Sequence, residues 1–110
     1  AVPPLDERLR TEENRVQGCI SKVWVAPLAD PQGHGRLRYV GDCDTAIIKG
    51  VLAVLVELFS GHTPQAIEAL DIDALFDRIK LAEHLSPNRH FGIYAIVELM
   101  KSQARAFAQG

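Results

Sequence analysis

The sequence predicts an α+β fold, an antiparallel β-sheet packed against helices. Three observations carry that prediction. Between Ile20 and Val40, two runs rich in β-branched and aromatic residues flank a cluster of turn residues. From Thr45 to Phe59 an apolar stretch of helical length follows, and cap-plus-proline pairs at Thr63-Pro64 and Ser86-Pro87 announce further helices. Strands first and helices afterwards is the α+β order; a parallel sheet would need the two to alternate.

Taken in order, residues 1 to 15 are dense in charge, and Pro3-Pro4 keeps their start extended. Leu5 and Leu9 are spaced for a short helical turn, so this segment is expected to lie on the surface, weakly specified. Ile20 to Leu28 reads as a strand closing at Pro27, with Val23 and Val25 on one face and Trp24 on the other. Asp30-Pro31-Gln32-Gly33-His34-Gly35 is turn chemistry. Arg36 to Val40 alternates polar and apolar residues as a half-buried strand does, completing a hairpin with one packed and one wet face. Gly41 to Thr45 is expected to be a corner, with Asp42, Asp44 or Thr45 capping the next helix. That helix, Thr45 to Phe59, is apolar on nearly every side, which predicts a fully buried core helix ending at Gly61. A short helix from Pro64 to about Leu70 follows, then one capped by Asp71 or Asp73 that turns Leu75, Phe76 and Ile79 inward. The last helix runs from Pro87 to about Ala108, with Ile93, Ile96, Val97, Met100, Ala104 and Phe107 on one stripe.

A chain of 110 residues makes one small domain, 1–110, with a real hydrophobic core. The net charge of −2 supplies no basic field for a phosphate backbone, so nucleic acid is not an expected partner. The apolar run Val51 to Val56 is far short of a bilayer span and lies between Lys49 and Glu57, so no membrane contact is expected. Two cysteines, without a CxxC pair or zinc spacing, point to a reduced, cytoplasmic protein rather than a disulfide framework.

The residues that could carry chemistry are few. Cys19 follows Gly18, which permits a bend, and stands just ahead of a strand with Arg15 and Lys22 close in sequence. Basic neighbours favour the thiolate, the nucleophilic form. The other reading is a small buried hydrophobe, the usual fate of a free cysteine. Cys43 precedes the core helix, whose N-terminus favours a thiolate, while Asp42 and Asp44 oppose it. Arg89 falls in the first turn of the last helix, where the macrodipole disfavours a cation; it is either solvated or paired with an anion such as a thiolate or carboxylate. His34, His62, His84 and His90 form no recognisable triad with a serine or cysteine. A thiol without a general base suits sulfur transfer, in which a thiolate attacks sulfur and later gives it up.

Four motifs together resemble the SufE family of sulfur acceptors: Arg15-Val16-Gln17-Gly18-Cys19-Ile20-Ser21-Lys22-Val23-Trp24, Gly41-Asp42-Cys43-Asp44, Ile48-Lys49-Gly50-Val51-Leu52-Ala53 and Leu85-Ser86-Pro87-Asn88-Arg89. They stand in that family's order and spacing, and the likeness extends from Thr11 onward. The resemblance implies a sandwich of the kind shared with IscU-type scaffolds. It also implies a sulfur acceptor that activates a PLP-dependent cysteine desulfurase and feeds an iron–sulfur scaffold complex or another acceptor. Cys19 matches the persulfide carrier, and Asp44 and Arg89 match polar positions that help to hold its loop. The PLP would belong to the desulfurase, and no cofactor is expected on this chain. Such a protein is an accessory in sulfur transfer rather than a stand-alone enzyme.

Two departures leave alternatives open. The family usually begins with further helical sequence, so the N-terminal packing is expected to differ. Position 43 is usually serine, whereas IscU-type scaffolds carry a ligating cysteine at the corresponding corner. Cys19 and Cys43, with His90 or His84, could then form part of a metal or cluster site, although four protein ligands are the structural norm. A Cys19–Cys43 disulfide or sulfur relay is a further option, and a purely structural adaptor is the last.

Overall fold

A computed structural model describes residues 5–17, 22–71, 73–74 and 87–109; for 46–47, 87–91 and 109 it describes the backbone alone. Its elements are strands β1 (Val23–Ala29) and β2 (Leu37–Cys43) and helices α1 (Ala46–Phe59), α2 (Pro64–Glu68) and α3 (Pro87–Gln109). Two short 3₁₀ turns, Glu7–Leu9 and Glu12–Asn14, precede them. The α+β expectation holds: β1 and β2 form an antiparallel pair, and α1 packs on β2 while α3 packs on β1.

The hairpin turn is built from local chemistry. The Asp30 carboxylate accepts the Gln32 N–H, and its carbonyl accepts the Gly33 N–H. Gly33, His34 and Gly35 all adopt the left-handed conformation, at φ 78, 65 and 70°. Glycine reaches that region without strain, and histidine does so at some cost.

Two strands alone are marginal in water; this pair is stabilised by its surroundings. Val23, Val25, Leu37, Tyr39 and Cys43 turn to the helices and join Ile48, Leu52, Leu55, Phe59, Ile93, Ile96, Val97 and Met100 in one core. Buried Tyr39 donates its hydroxyl to the Met100 carbonyl at 2.6 Å, which satisfies the one polar group it carries into that core. Burial raises its pKa.

The sheet edges are covered too. Along β1, Val16 donates to the Val23 carbonyl (2.8 Å) and the Gln103 amide donates to the Val25 carbonyl (2.9 Å). Along β2, Leu37 exchanges backbone bonds with His62 and Gly61, and the Ser60 hydroxyl accepts the Tyr39 N–H. Open edges would invite pairing with another chain.

The structure corrects five expectations. β2 extends through Gly41, Asp42 and Cys43, and the corner moves to Asp44-Thr45. Gly41 makes this possible: a Cβ there would stand 2.8 Å from the Trp24 carbonyl oxygen and 3.2 Å from Leu52 Cδ2, so only glycine admits α1 and β1 so close. α1 is not buried all round, because Lys49, Gly50, Val54 and Glu57 face solvent. A helix lying on one side of a two-stranded sheet has only one face to bury. Phe107 is 38% exposed, whereas the rest of its stripe is buried. The N-terminal segment is firmly fastened, with Leu5 and Val16 buried, and the face expected to be wet is partly dry, with Ala26 at 1% exposure.

Thr63 accepts the Ala66 N–H ahead of Pro64, and Asp71 accepts from Asp73 and Ala74, as helix caps do. Leu75, Phe76, Ile79 and Ser86 lie outside the described residues. Among those described, no helix is long and apolar enough to cross a membrane.

Candidate functional site

At the end of the hairpin opposite the turn, Val23 pairs with Cys43 and Trp24 with Asp42. Here the chain returns on itself before β1. Val16 is bonded to Val23, and Arg15 bridges Trp24, so the two sides of the run 17–22 are drawn together. The second tie is reciprocal. Asp44 Oδ1 accepts the Lys22 N–H at 3.0 Å, and the Asp44 N–H donates to the Lys22 carbonyl at 3.2 Å. Asp44 therefore clamps the neighbouring run rather than capping α1. Its side chain is solvent-exposed, and its value is geometric: it fixes where residue 22 leaves the sheet.

Gly18, Cys19, Ile20 and Ser21 lie outside the described residues, as do the side chains of Arg89 and His90 and all of His84. The backbone places Arg89 in the first turn of α3, as expected. What the structure brings together is the frame: Val16, Lys22, Val23, Cys43 and Asp44 at the two sides of the Cys19-bearing run.

Cys43 is the last residue of β2 and 7% exposed. Its sulfur accepts the Thr45 N–H at 3.5 Å and lies 3.5 Å from the Thr45 hydroxyl. The thiol belongs to the core cluster, which is the bland reading of a free cysteine. Among the described residues no group of three His, Cys, Asp or Glu side chains is placed to hold a metal ion.

The expectation that Asp42 and Asp44 act alike on Cys43 does not survive. Asp42 is held by the Arg10 guanidinium and by Lys49, 3.5 Å away, which leaves its charge offset. Hydrogen bonding from Arg10 keeps its carboxyl below the ordinary aspartate value of 3.8. Arg10 also lies over the Trp24 ring, 5.0 Å from its centroid, and reaches Glu7 at 3.0 Å. This knot of Arg10, Trp24, Asp42 and Lys49 is missing from the sequence reading. Arg10 and Asp42 are 32 residues apart, and nothing in local spacing pairs them.

The family model described as the SufE Fe-S metabolism associated domain matches residues 1–104 of the 110. The chain belongs to the SufE family. Its association is therefore with iron–sulfur metabolism, and the resemblance drawn from four motifs extends to the whole chain except its last residues. The match includes the N-terminal segment, so Arg10 and its contacts fall within the SufE domain. Cys43 puts a thiol in the core beside Thr45, where it packs as a small apolar group.

Proposed function

We propose that this chain is a sulfur acceptor and activator of a PLP-dependent cysteine desulfurase, working in the reducing cytoplasm. The Cys19 thiolate attacks the outer sulfur of a persulfide on the desulfurase cysteine. A new S–S bond forms on Cys19, the old one breaks, and the desulfurase cysteine leaves as a thiolate. No net oxidation occurs and no general base is needed. The same exchange in the opposite direction hands the sulfur to an iron–sulfur scaffold complex or another acceptor. By draining the persulfide, the chain speeds the desulfurase without being a stand-alone enzyme.

The observation that carries this reading is the SufE-family match across residues 1–104, which includes Cys19. The geometry supports it: bonds from Val16 to Val23 and from Lys22 to Asp44 fix both sides of the short run bearing Cys19. Asp44 and Arg89 are assigned supporting roles, Asp44 as the clamp on Lys22 and Arg89 as a cation for the thiolate or persulfide. The reading of Cys19 and Cys43 as an IscU-like cluster scaffold is weaker, because Cys43 is committed to the core.

Desulfurase turnover measured with increasing amounts of this chain tests the proposal. The wild-type chain is expected to raise turnover, and Cys19→Ser to abolish the rise with an unchanged melting temperature. Undiminished stimulation by Cys19→Ser would defeat it. Cys43→Ser is expected to keep the stimulation; loss of it, together with zinc or iron that co-purifies only with the wild type, would favour the scaffold.

A further inference from the structure

Most arginines whose side chains are described are matched to an acid. Arg8 pairs with Asp6, Arg10 with Asp42, Arg15 with Glu12 and Arg105 with Glu68. Arg36 and Arg38 are the exceptions: both are exposed, and among the described residues neither is paired with a carboxylate.

Their placement follows from the strand. Residues two apart along an extended chain share a face, and their side chains leave it about 7 Å apart. Leu37 and Tyr39 turn to the core, so Arg36 and Arg38 turn outward. Both line one cleft of about 340 Å³ at the turn end of the hairpin, together with Asp30, Gln32, Ser60 and Gly61. The acid of that cleft is already engaged. Asp30 faces Arg36 across the strand pair, its N–H bonded to the Arg36 carbonyl, yet its carboxylate turns back to accept the Gln32 N–H. Ser60 accepts the Tyr39 N–H, which leaves its own hydroxyl hydrogen to donate. Beside Arg38 stands its register partner Leu28, at 41% the most exposed large apolar side chain among the described residues.

The chemistry of this surface selects its occupant. A guanidinium presents a planar fork of donors that fits a carboxylate with two parallel hydrogen bonds. A compact dianion matches the arrangement poorly, because the two cations are spread along the strand and Asp30 repels it from one side. Carboxylates spaced along a protein segment match it well, and an apolar side chain among them covers Leu28. The whole chain is net negative, so the attraction belongs to this patch and not to the surface at large.

We propose that Arg36, Arg38 and Leu28 form a docking surface for an acidic segment of a partner protein, with carboxylates on the two guanidiniums and an apolar side chain on Leu28. The surface lies at the end of the hairpin opposite Val23 and Cys43. The inference does not depend on which residue carries sulfur.

The probe is the peptide acetyl-Glu-Glu-Leu-Glu-Glu-amide, titrated into the isotopically labelled full chain and followed by NMR. Its counterpart with glutamine in place of each glutamate is the control. The acidic peptide is expected to shift the signals of Leu28, Arg36, Arg38 and Ser60, and the control to shift none of them. Arg36→Gln and Arg38→Gln should each weaken binding roughly threefold, and the two together roughly tenfold, as exposed charge contacts do. Leu28→Ser should weaken binding of the acidic peptide as well, and added salt should weaken it further. Arg8→Gln, at an exposed arginine that is paired with Asp6, should leave binding unchanged. All of these positions are exposed, so the melting temperatures of the variants should stay at the wild-type value.

Wild-type binding by the double variant Arg36→Gln/Arg38→Gln would overturn the proposal, since the attraction would then lie elsewhere. Absence of any shift at these residues at millimolar peptide would overturn it too. Inorganic pyrophosphate supplies the last arm. If it binds more tightly than the peptide, depends on the same two arginines and is indifferent to Leu28→Ser, the cleft is a small-anion site and the docking surface is refuted.

Discussion

The two ends of the β1–β2 hairpin are held by opposite means. Within the turn itself, residues 30–36, the ties are local: Asp30 to Gln32, Gly33 to Asp30, Asp30 to Arg36, with three consecutive left-handed residues; beyond it Leu37 is joined to Gly61 and His62. At the open end, the ties join separate segments of the chain. Asp42 is gripped by Arg10 and Lys49, Asp44 by Lys22, and Val23 by Val16. A turn made of local bonds closes once and stays closed. An end made of separate polar ties across different segments can be loosened one tie at a time, and that is the end where the Cys19-bearing run is attached. The proposed sulfur-carrying run is thus flanked by ties between separate segments, while the turn stands at the far end of the sheet.

Substitutions can break this contrast at several places, beginning with the largest effect. Gly41→Val drives a side chain into the Trp24 carbonyl and Leu52, and should destabilise the fold by about 3 kcal/mol, the upper range for overpacking. Thermal or urea unfolding checks it, and a loss below a few tenths would show that β1 and α1 can move apart. Gly33→Ala, at φ 78°, should cost about 1 kcal/mol for forcing a side chain into the left-handed region. Its sulfur uptake should stay at the wild-type level, because the turn is at the end of the hairpin opposite Val23 and Cys43. Asp44→Ala removes one exposed hydrogen bond, worth about 0.5–1 kcal/mol. The informative readout is local: amide exchange at Lys22 should quicken while that at Gln32 in the turn holds.

The smallest effect is the titration of Asp42. Arg10 depresses its folded-state pKa below the ordinary 3.8, so the group stabilises the fold fully above that value. The contribution is lost as the pH falls through the depressed pKa. Acid unfolding followed below pH 4 should therefore show a component that disappears in Arg10→Gln and fades with added salt, as a partly exposed ion pair should.

The same contrast explains what could be read from the sequence. Turn residues 30–35, the Thr63-Pro64 cap, the Asp71 cap and the Ile93–Ala104 stripe depend on neighbours a few positions away, so composition and period reveal them. Gly41 looked like a corner because glycine marks turns, yet here it admits a close packing partner that only the tertiary structure supplies. Gln103, which reaches Asn14 across 89 residues and Val25 across 78, left no local signal, and neither did Arg10. Membership of the SufE family was legible for another reason: the order and spacing of four motifs, one of them bearing Cys19, are shared by the family. Asp44 stands in another of those motifs, though its bonds to Lys22 were not read from it, whereas Arg10 precedes all four.

The central claim is that Cys19 carries sulfur, and the direct test is the intact mass of the full chain after incubation with a cysteine desulfurase and L-cysteine, with and without alkylation. The expected result is the gain of one sulfur atom, mapped to Cys19 by digestion and removed by reductant. A chain that gains no sulfur at Cys19, under conditions in which the desulfurase itself becomes persulfidated, would contradict it.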